Sequence, residues 1–215
     1  LVLDTVYGGG PGRDPLPYAV DMAGRADRCL FRLGNVRARE PQPFDQKVRN
    51  TGLPCQAASD AGLEVDTVLV VDSSSTSATR LERVKAAAQR YIAGMKSGER
   101  IALISAGGVA QNEAALSAEP TRLSEAVNKL QASGGAATYD GMIAAARLLG
   151  EQGAPIRHIV VIAASADGGA KAGGSLARAE ALDNDASINV VVLTSDDFLP
   201  AAAGGYQQLA NETGG

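Results

Sequence analysis

The sequence predicts an α/β protein: a doubly wound, mostly parallel sheet flanked by helices, preceded by an extension of short strands and loops. From Val65 onward, near-continuous apolar runs such as Val65–Val71, Ile159–Ala163 and Ile188–Leu193 alternate with helical periodicity. Runs that are apolar at every position suit strands covered on both faces, the condition of a parallel sheet. Residues 1–63 lack this pattern. Gly8-Gly9-Gly10-Pro11-Gly12, Pro15, Pro17, Pro41 and Pro43 break them into short pieces. The expected organisation is therefore an N-terminal extension or small lobe at 1–63 and an α/β domain at 64–215.

Within the extension, Leu1–Val6, Cys29–Leu33 and Gln46–Val48 read as short strands. The glycine run reads as a turn, because no Lys-Ser/Thr follows it as a phosphate loop requires. Cys29 and Cys55 could form one disulfide in an oxidising compartment or remain separate thiols, and the sequence leaves both open. After the strand Val65–Val71 comes an amphipathic helix, Leu81–Met95, with Leu81, Val84, Ala88, Tyr91, Ile92 and Met95 on one face. Ile101–Ser105 is the next strand, followed by a short polar-flanked piece near Glu113–Leu116. Helices are expected at Arg122–Leu130, Tyr139–Leu149, Ser175–Leu182 and Tyr206–Asn211, with strands Ile159–Ala163 and Ile188–Leu193 between them. An open sheet edge needs protection. Either Leu1–Val6 or Cys29–Leu33 pairs there, or that edge meets a neighbouring subunit.

Composition removes several function classes. The chain has 215 residues, a net charge of −4, no Trp and 4% aromatics. It has neither the concentrated basic face nor the stacking platform of a nucleic-acid binder. No apolar run approaches the roughly 18 residues of a membrane span. The chain begins at Leu1 with no signal-like segment, so a processed or excised form is expected, with any anchor outside it. His158 is the single histidine and reads as a strand-edge residue, leaving no material for a histidine triad or a multi-histidine metal site. No G-x-S-x-G elbow has a usable histidine. The protein is expected not to be an enzyme.

The candidate chemistry lies at one rim. Right-handed crossovers gather the loops after parallel strands at their carboxyl ends, where ligands bind. Val65–Val71 delivers Asp72, Ser74 and Thr76 there: a carboxylate and two hydroxyls, a hard-oxygen set for Mg2+ or for Mn2+ or Ca2+. Asp167 follows another strand and Thr138 opens a helix at the same rim. A competing reading makes Asp72 and the hydroxyls before Leu81, among them Ser77 and Thr79, helix caps. Asp196-Asp197 reads as a turn or cap pair, and Arg80-Glu82-Arg83-Lys85 as a solvated helix face.

Asp72-Ser73-Ser74-Ser75-Thr76 is similar to the D-x-S-x-S/T signature of von Willebrand factor A domains, their metal-ion-dependent adhesion site. Gly134-Gly135-Ala136-Ala137-Thr138-Tyr139-Asp140-Gly141 resembles the family's second loop, and Ser165-Ala166-Asp167-Gly168 its third. Leu209-Ala210-Asn211-Glu212-Thr213-Gly214-Gly215 resembles a late helix end of the family. The resemblance covers Val65 to Gly215. It implies metal ligands at Asp72, Ser74, Thr76, Thr138 and Asp167, and a non-catalytic adhesion module of bacterial type. Its protein partner would complete the cation's shell with a carboxylate. Bacterial relatives of this kind imply an extracytoplasmic place in a surface, pilus or secretion assembly. The second loop departs from the family's G-G-T, because Ala136 stands at the threonine. Counting from the glycines loses this ligand; counting from T-x-x-G gives Thr138, with Asp140 as a substitute donor. The alternative function is a scaffold of the same fold with a degenerate site, binding without metal or assembling with itself.

Overall fold

The computed structural model describes residues 5–7, 64–193 and 203–215. Six strands form one sheet in the order β1-β6-β5-β2-β3-β4. They are β1 (Thr5–Tyr7), β2 (Val65–Val71), β3 (Glu99–Gly107), β4 (Val109–Ser117), β5 (Ile156–Ala163) and β6 (Ser187–Val192). Pairing is parallel for β2 with β3, β2 with β5 and β5 with β6. It is antiparallel at the two edges, β3 with β4 and β1 with β6. The expected doubly wound, mostly parallel sheet is therefore present.

Alternation along β2 shows why its run is apolar throughout. Val68 and Val70 pack with Met142, Leu149 and Ala177, from α3 (Thr138–Gly150) and α4 (Gly174–Asp183), and with Leu209 of α5 (Gly204–Thr213). Leu69 and Val71 face the other way, onto Val84, Ile92 and Leu123 from α1 (Leu81–Ala93) and α2 (Pro120–Lys129). Successive side chains of a strand point to opposite faces, so a strand with helices on both sides must be apolar at every position.

Several boundaries differ from expectation. The piece near Glu113–Leu116 is part of a nine-residue strand, β4, paired antiparallel to β3 through the one-residue turn at Gly108, φ 72°. Its outer position leaves most of its residues exposed, so its sequence is polar and carries little strand signal. β3 starts at Glu99, two residues before the apolar run: Arg100 forms a bidentate pair with the buried Asp66 of β2, at 2.8 and 2.7 Å. Helix α1 ends at Ala93, because the Gly94 N–H already turns back to Tyr91 and Ile92. β1 lies on the edge beside β6, with Thr5 opposite Val192 and Tyr7 opposite Val190. Cys29–Leu33, Gln46–Val48, the thiols of Cys29 and Cys55, and Asp196-Asp197 lie outside the described residues.

Candidate functional site at the carboxyl rim

β2 ends at Val71, and the next residue, Asp72, is fully buried. Four donors surround its carboxylate. Oδ1 accepts from the Ser74 N–H at 3.0 Å and the Ser77 hydroxyl at 3.1 Å. Oδ2 accepts from the Ala164 N–H at 3.1 Å and the Ser165 hydroxyl at 2.6 Å. None of these donors is a Lys or Arg. A carboxylate taken out of water needs such a set, because an unpaired buried charge is costly.

The hydroxyls form a second layer on this carboxylate. Ser74 Oγ lies 2.7 Å from Thr76 Oγ1 and 3.3 Å from Ser165 Oγ, and Thr76 Oγ1 lies 3.4 Å from Ser165 Oγ. Ser74 is buried whereas Thr76 is exposed, so the cluster opens to solvent on the Thr76 side. The cap reading of these residues does not hold for α1. That helix has Arg80 at its N-cap with no side-chain capping bond, and the Ser77 hydroxyl turns back to Asp72 and to the Ser74 carbonyl.

Thr138 and Asp167 meet each other. The Thr138 hydroxyl donates to Asp167 Oδ2 at 2.6 Å, and the same oxygen accepts the Tyr139 N–H at 2.7 Å. Asp167 thus caps the first turn of α3 from another loop, satisfying an amide that the helix itself cannot and meeting the positive end of its dipole. Its Oδ1 accepts the Ala170 N–H. Asp140, in that same first turn, accepts the N–H groups of Lys171 and Ala172. Two carboxylates thereby strap the third loop to the start of α3.

Tyr206 of α5 joins the two clusters. Its phenol lies 2.7 Å from Thr138 Oγ1 and donates to the Ser165 carbonyl at 3.3 Å. Burial pushes the phenol's pKa well above its ordinary value; the Thr138 hydrogen bond opposes this, and the Asp167 charge adds to it. Tyr139, packed against Tyr206 with ring centroids 5.7 Å apart, is raised for the same main reason, burial.

The second loop is fixed mainly through its backbone. Ser75 N–H donates to Gly134 O, Ser133 N–H to Ser73 O, Gly108 N–H to Gly135 O, and Gly169 N–H to Ala136 O. Such close crossing needs glycine: a Cβ on Gly107 would come within 2.5 Å of the Ser73 carbonyl. Ala136 is buried and presents only its carbonyl, to the third loop. Among the described residues, no three His, Cys, Asp or Glu side chains gather as at a carboxylate- or imidazole-rich metal centre. The oxygen-rich cluster is built from hydroxyls around Asp72. Of the five expected ligands, Asp72, Ser74 and Thr76 stand together, and Thr138 and Asp167 form a second pair. Ser165, Ser77 and Tyr206 complete the network; sequence reasoning assigned none of them a place in the site.

The order of strands and the three converging loops invite comparison with known proteins. Residues 67–169 match the von Willebrand factor type A domain family. The first two rim loops and the start of the third, including Ser165 and Asp167, fall inside that match. Comparison with curated proteins gives no match. Among solved structures, protein BatB from Bacteroides thetaiotaomicron is 17% identical over 70% of this chain and 86% of its own, with a TM-score of 0.55. A von Willebrand factor type A protein from Catenulispora acidiphila is 17% identical over 71% of this chain and 43% of its own, TM-score 0.53. The vWF domain of the type V pili tip protein of Porphyromonas gingivalis is 25% identical over 49% of this chain, TM-score 0.45. This chain covers 39% of that domain's structure and 20% of a three-domain form of the same protein. The first two of these likenesses establish the type A fold. No helix among the described residues is long and apolar enough to cross a membrane.

Proposed function

We propose that this type A domain is a non-catalytic protein-binding module whose rim takes a divalent cation and, through it, an acidic side chain of a protein partner. The supporting observation is the cluster of the Ser74, Thr76 and Ser165 hydroxyls beside the buried carboxylate of Asp72, which Ser165 contacts directly. Mg2+ binds oxygens at about 2.0–2.1 Å in an octahedron, which sets neighbouring ligand oxygens roughly 2.9 Å apart. The Ser74–Thr76 spacing of 2.7 Å and the Ser74–Ser165 spacing of 3.3 Å lie close to that edge. Asp72 has no basic partner among the described residues, and a cation would offset its charge. Ser74 and Thr76 would hold the ion, with Asp72 supplying charge directly or through water. Bound there, the ion supplies an electrophilic position that a partner's carboxylate can fill.

An extracytoplasmic role in a bacterial surface, pilus or secretion assembly is part of the proposal. It draws on the loop resemblance and on Cys29 and Cys55, which could bond in an oxidising compartment. The test is a Mn2+ titration followed by electron paramagnetic resonance on the protein and on its Asp72→Ala variant. Uptake that vanishes in the variant supports the cation; no uptake by the unmodified protein at millimolar Mn2+ sinks it. A metal-free scaffold is the second reading. It is favoured by Ala136, which offers no side-chain oxygen in the second loop, and it predicts partner binding that chelator leaves unchanged.

A further inference from the structure

The geometry points to Ser165, not Asp167, as the third loop's donor to the cation site, leaving Asp72 as the site's single carboxylate. This rests on the cation reading above. The side-chain contacts carry it, and the register agrees. Val71 lies opposite Ile162, so Asp72 stands level with Ala163, two residues before Ser165 and four before Asp167. Ser165 reaches Asp72 Oδ2 at 2.6 Å and lies within 3.4 Å of both the Ser74 and Thr76 hydroxyls. Asp167 is two residues further on, and both its oxygens are engaged elsewhere: Oδ2 by Thr138 and Tyr139 N–H, Oδ1 by Ala170 N–H. Asp167 is a positioning residue that fastens the third loop to α3.

A divalent ion next to one carboxylate and three neutral hydroxyls keeps a net positive charge. It is held weakly alone and more tightly once an anion joins it. By thermodynamic reciprocity the anion is then bound more tightly in the ion's presence, so cation and acidic partner load as a coupled pair.

The experiment measures Mn2+ affinity by electron paramagnetic resonance, with and without acetate as the carboxylate probe, alongside thermal midpoints. Ser165→Ala is expected to weaken Mn2+ binding about tenfold or more, the scale of removing a supporting group. Ser165→Thr keeps the hydroxyl and the affinity. Ser165→Asp tightens binding, loses stability in chelator from like-charge repulsion at Asp72, and regains it with Mg2+. Asp167→Asn lowers the midpoint and costs less Mn2+ affinity than Ser165→Ala. Acetate tightens Mn2+ binding in the unmodified protein. Equal or larger affinity loss in Asp167→Asn than in Ser165→Ala overturns the assignment, as does a Ser165→Asp affinity no better than the original. Failure of the unmodified protein to take up any Mn2+ overturns the cation reading and this inference together, whereas the variant pattern overturns this one alone.

Discussion

Replacing Tyr206 by Phe removes one oxygen from the centre of the rim and leaves the ring in place. That oxygen bonds the Thr138 hydroxyl at 2.7 Å and the Ser165 carbonyl at 3.3 Å. Thr138 keeps Asp167 as a partner, so its loss is the smaller one. The Ser165 carbonyl is left without the phenol, and an unsatisfied buried polar group costs about 1–3 kcal/mol. The expected destabilisation is about 2 kcal/mol, or roughly 4–8 °C in thermal midpoint for a domain of this size. Urea unfolding followed by circular dichroism measures it. The variant also changes the alkaline limb. Burial raises the Tyr206 pKa above its ordinary value of about 10. The folded protein then holds this proton where the unfolded chain releases it, so the contribution is whole below pH about 10 and declines above it. Tyr206→Phe should therefore show a shallower loss of stability above pH about 10 than the original protein. Stability changed by less than about 0.5 kcal/mol, with an identical alkaline slope, would refute the bridging role given to this hydroxyl.

Further substitutions probe the frame around the rim. Arg100→Ala strands the fully buried Asp66 carboxylate; because Arg100 is itself 41% exposed, a loss of about 2 kcal/mol is expected, below the range for fully buried pairs, and chemical denaturation reads it. Gly141→Ala sets two effects against each other. Helix propensity favours alanine by about 1 kcal/mol, but its Cβ would lie 2.7 Å from Val70 Cγ1. A net loss of about 1 kcal/mol is expected from overpacking, and a more stable variant would show that α3 can lift off the sheet. Gly134→Ala places a side chain at φ 54° with its Cβ driven into the Gly108 backbone. It should cost about 2 kcal/mol or more, and amide exchange at Ser75, whose N–H bonds the Gly134 carbonyl, should quicken; unchanged exchange would mean that the loop crossing is not under strain.

The sheet was legible because burial on both faces writes itself into a strand as an unbroken apolar run, as in β2, β5 and β6. β4 was legible only in part. Its outer side faces away from the core, so Gln111, Asn112 and Glu113 carry no apolar alternation, and the strand exists through its ladder to β3. The first rim loop was readable because Asp72, Ser74 and Thr76 lie within five residues. The third was harder, since Ser165 and Asp167 both follow β5 and a sequence does not state which is level with Asp72. A partial signal was present: counting outward from the paired strands brings Ala163 level with Asp72, which leaves Ser165 nearer to it than Asp167. Tyr206 gave no comparable clue, because a tyrosine on an amphipathic helix reads as core until its hydroxyl finds a partner.

The donors of Asp72 also set an order in time. Ser74 and Ser77 are close in sequence, and the β3–β4 hairpin closes over a single glycine, so these contacts can form from a short length of chain. Ala164 and Ser165 arrive from 92 and 93 positions downstream. During synthesis, the carboxylate of Asp72 must stay in water until the strand preceding Ser165 has emerged and inserted beside β2, because a half-solvated buried charge would oppose earlier closure. Pulse-labelled amide exchange during refolding should find the Ala164 N–H protected together with β5 and later than the β3–β4 ladder; simultaneous protection would contradict this sequence. With that order, the last two bonds to Asp72 close only once β5 lies beside β2.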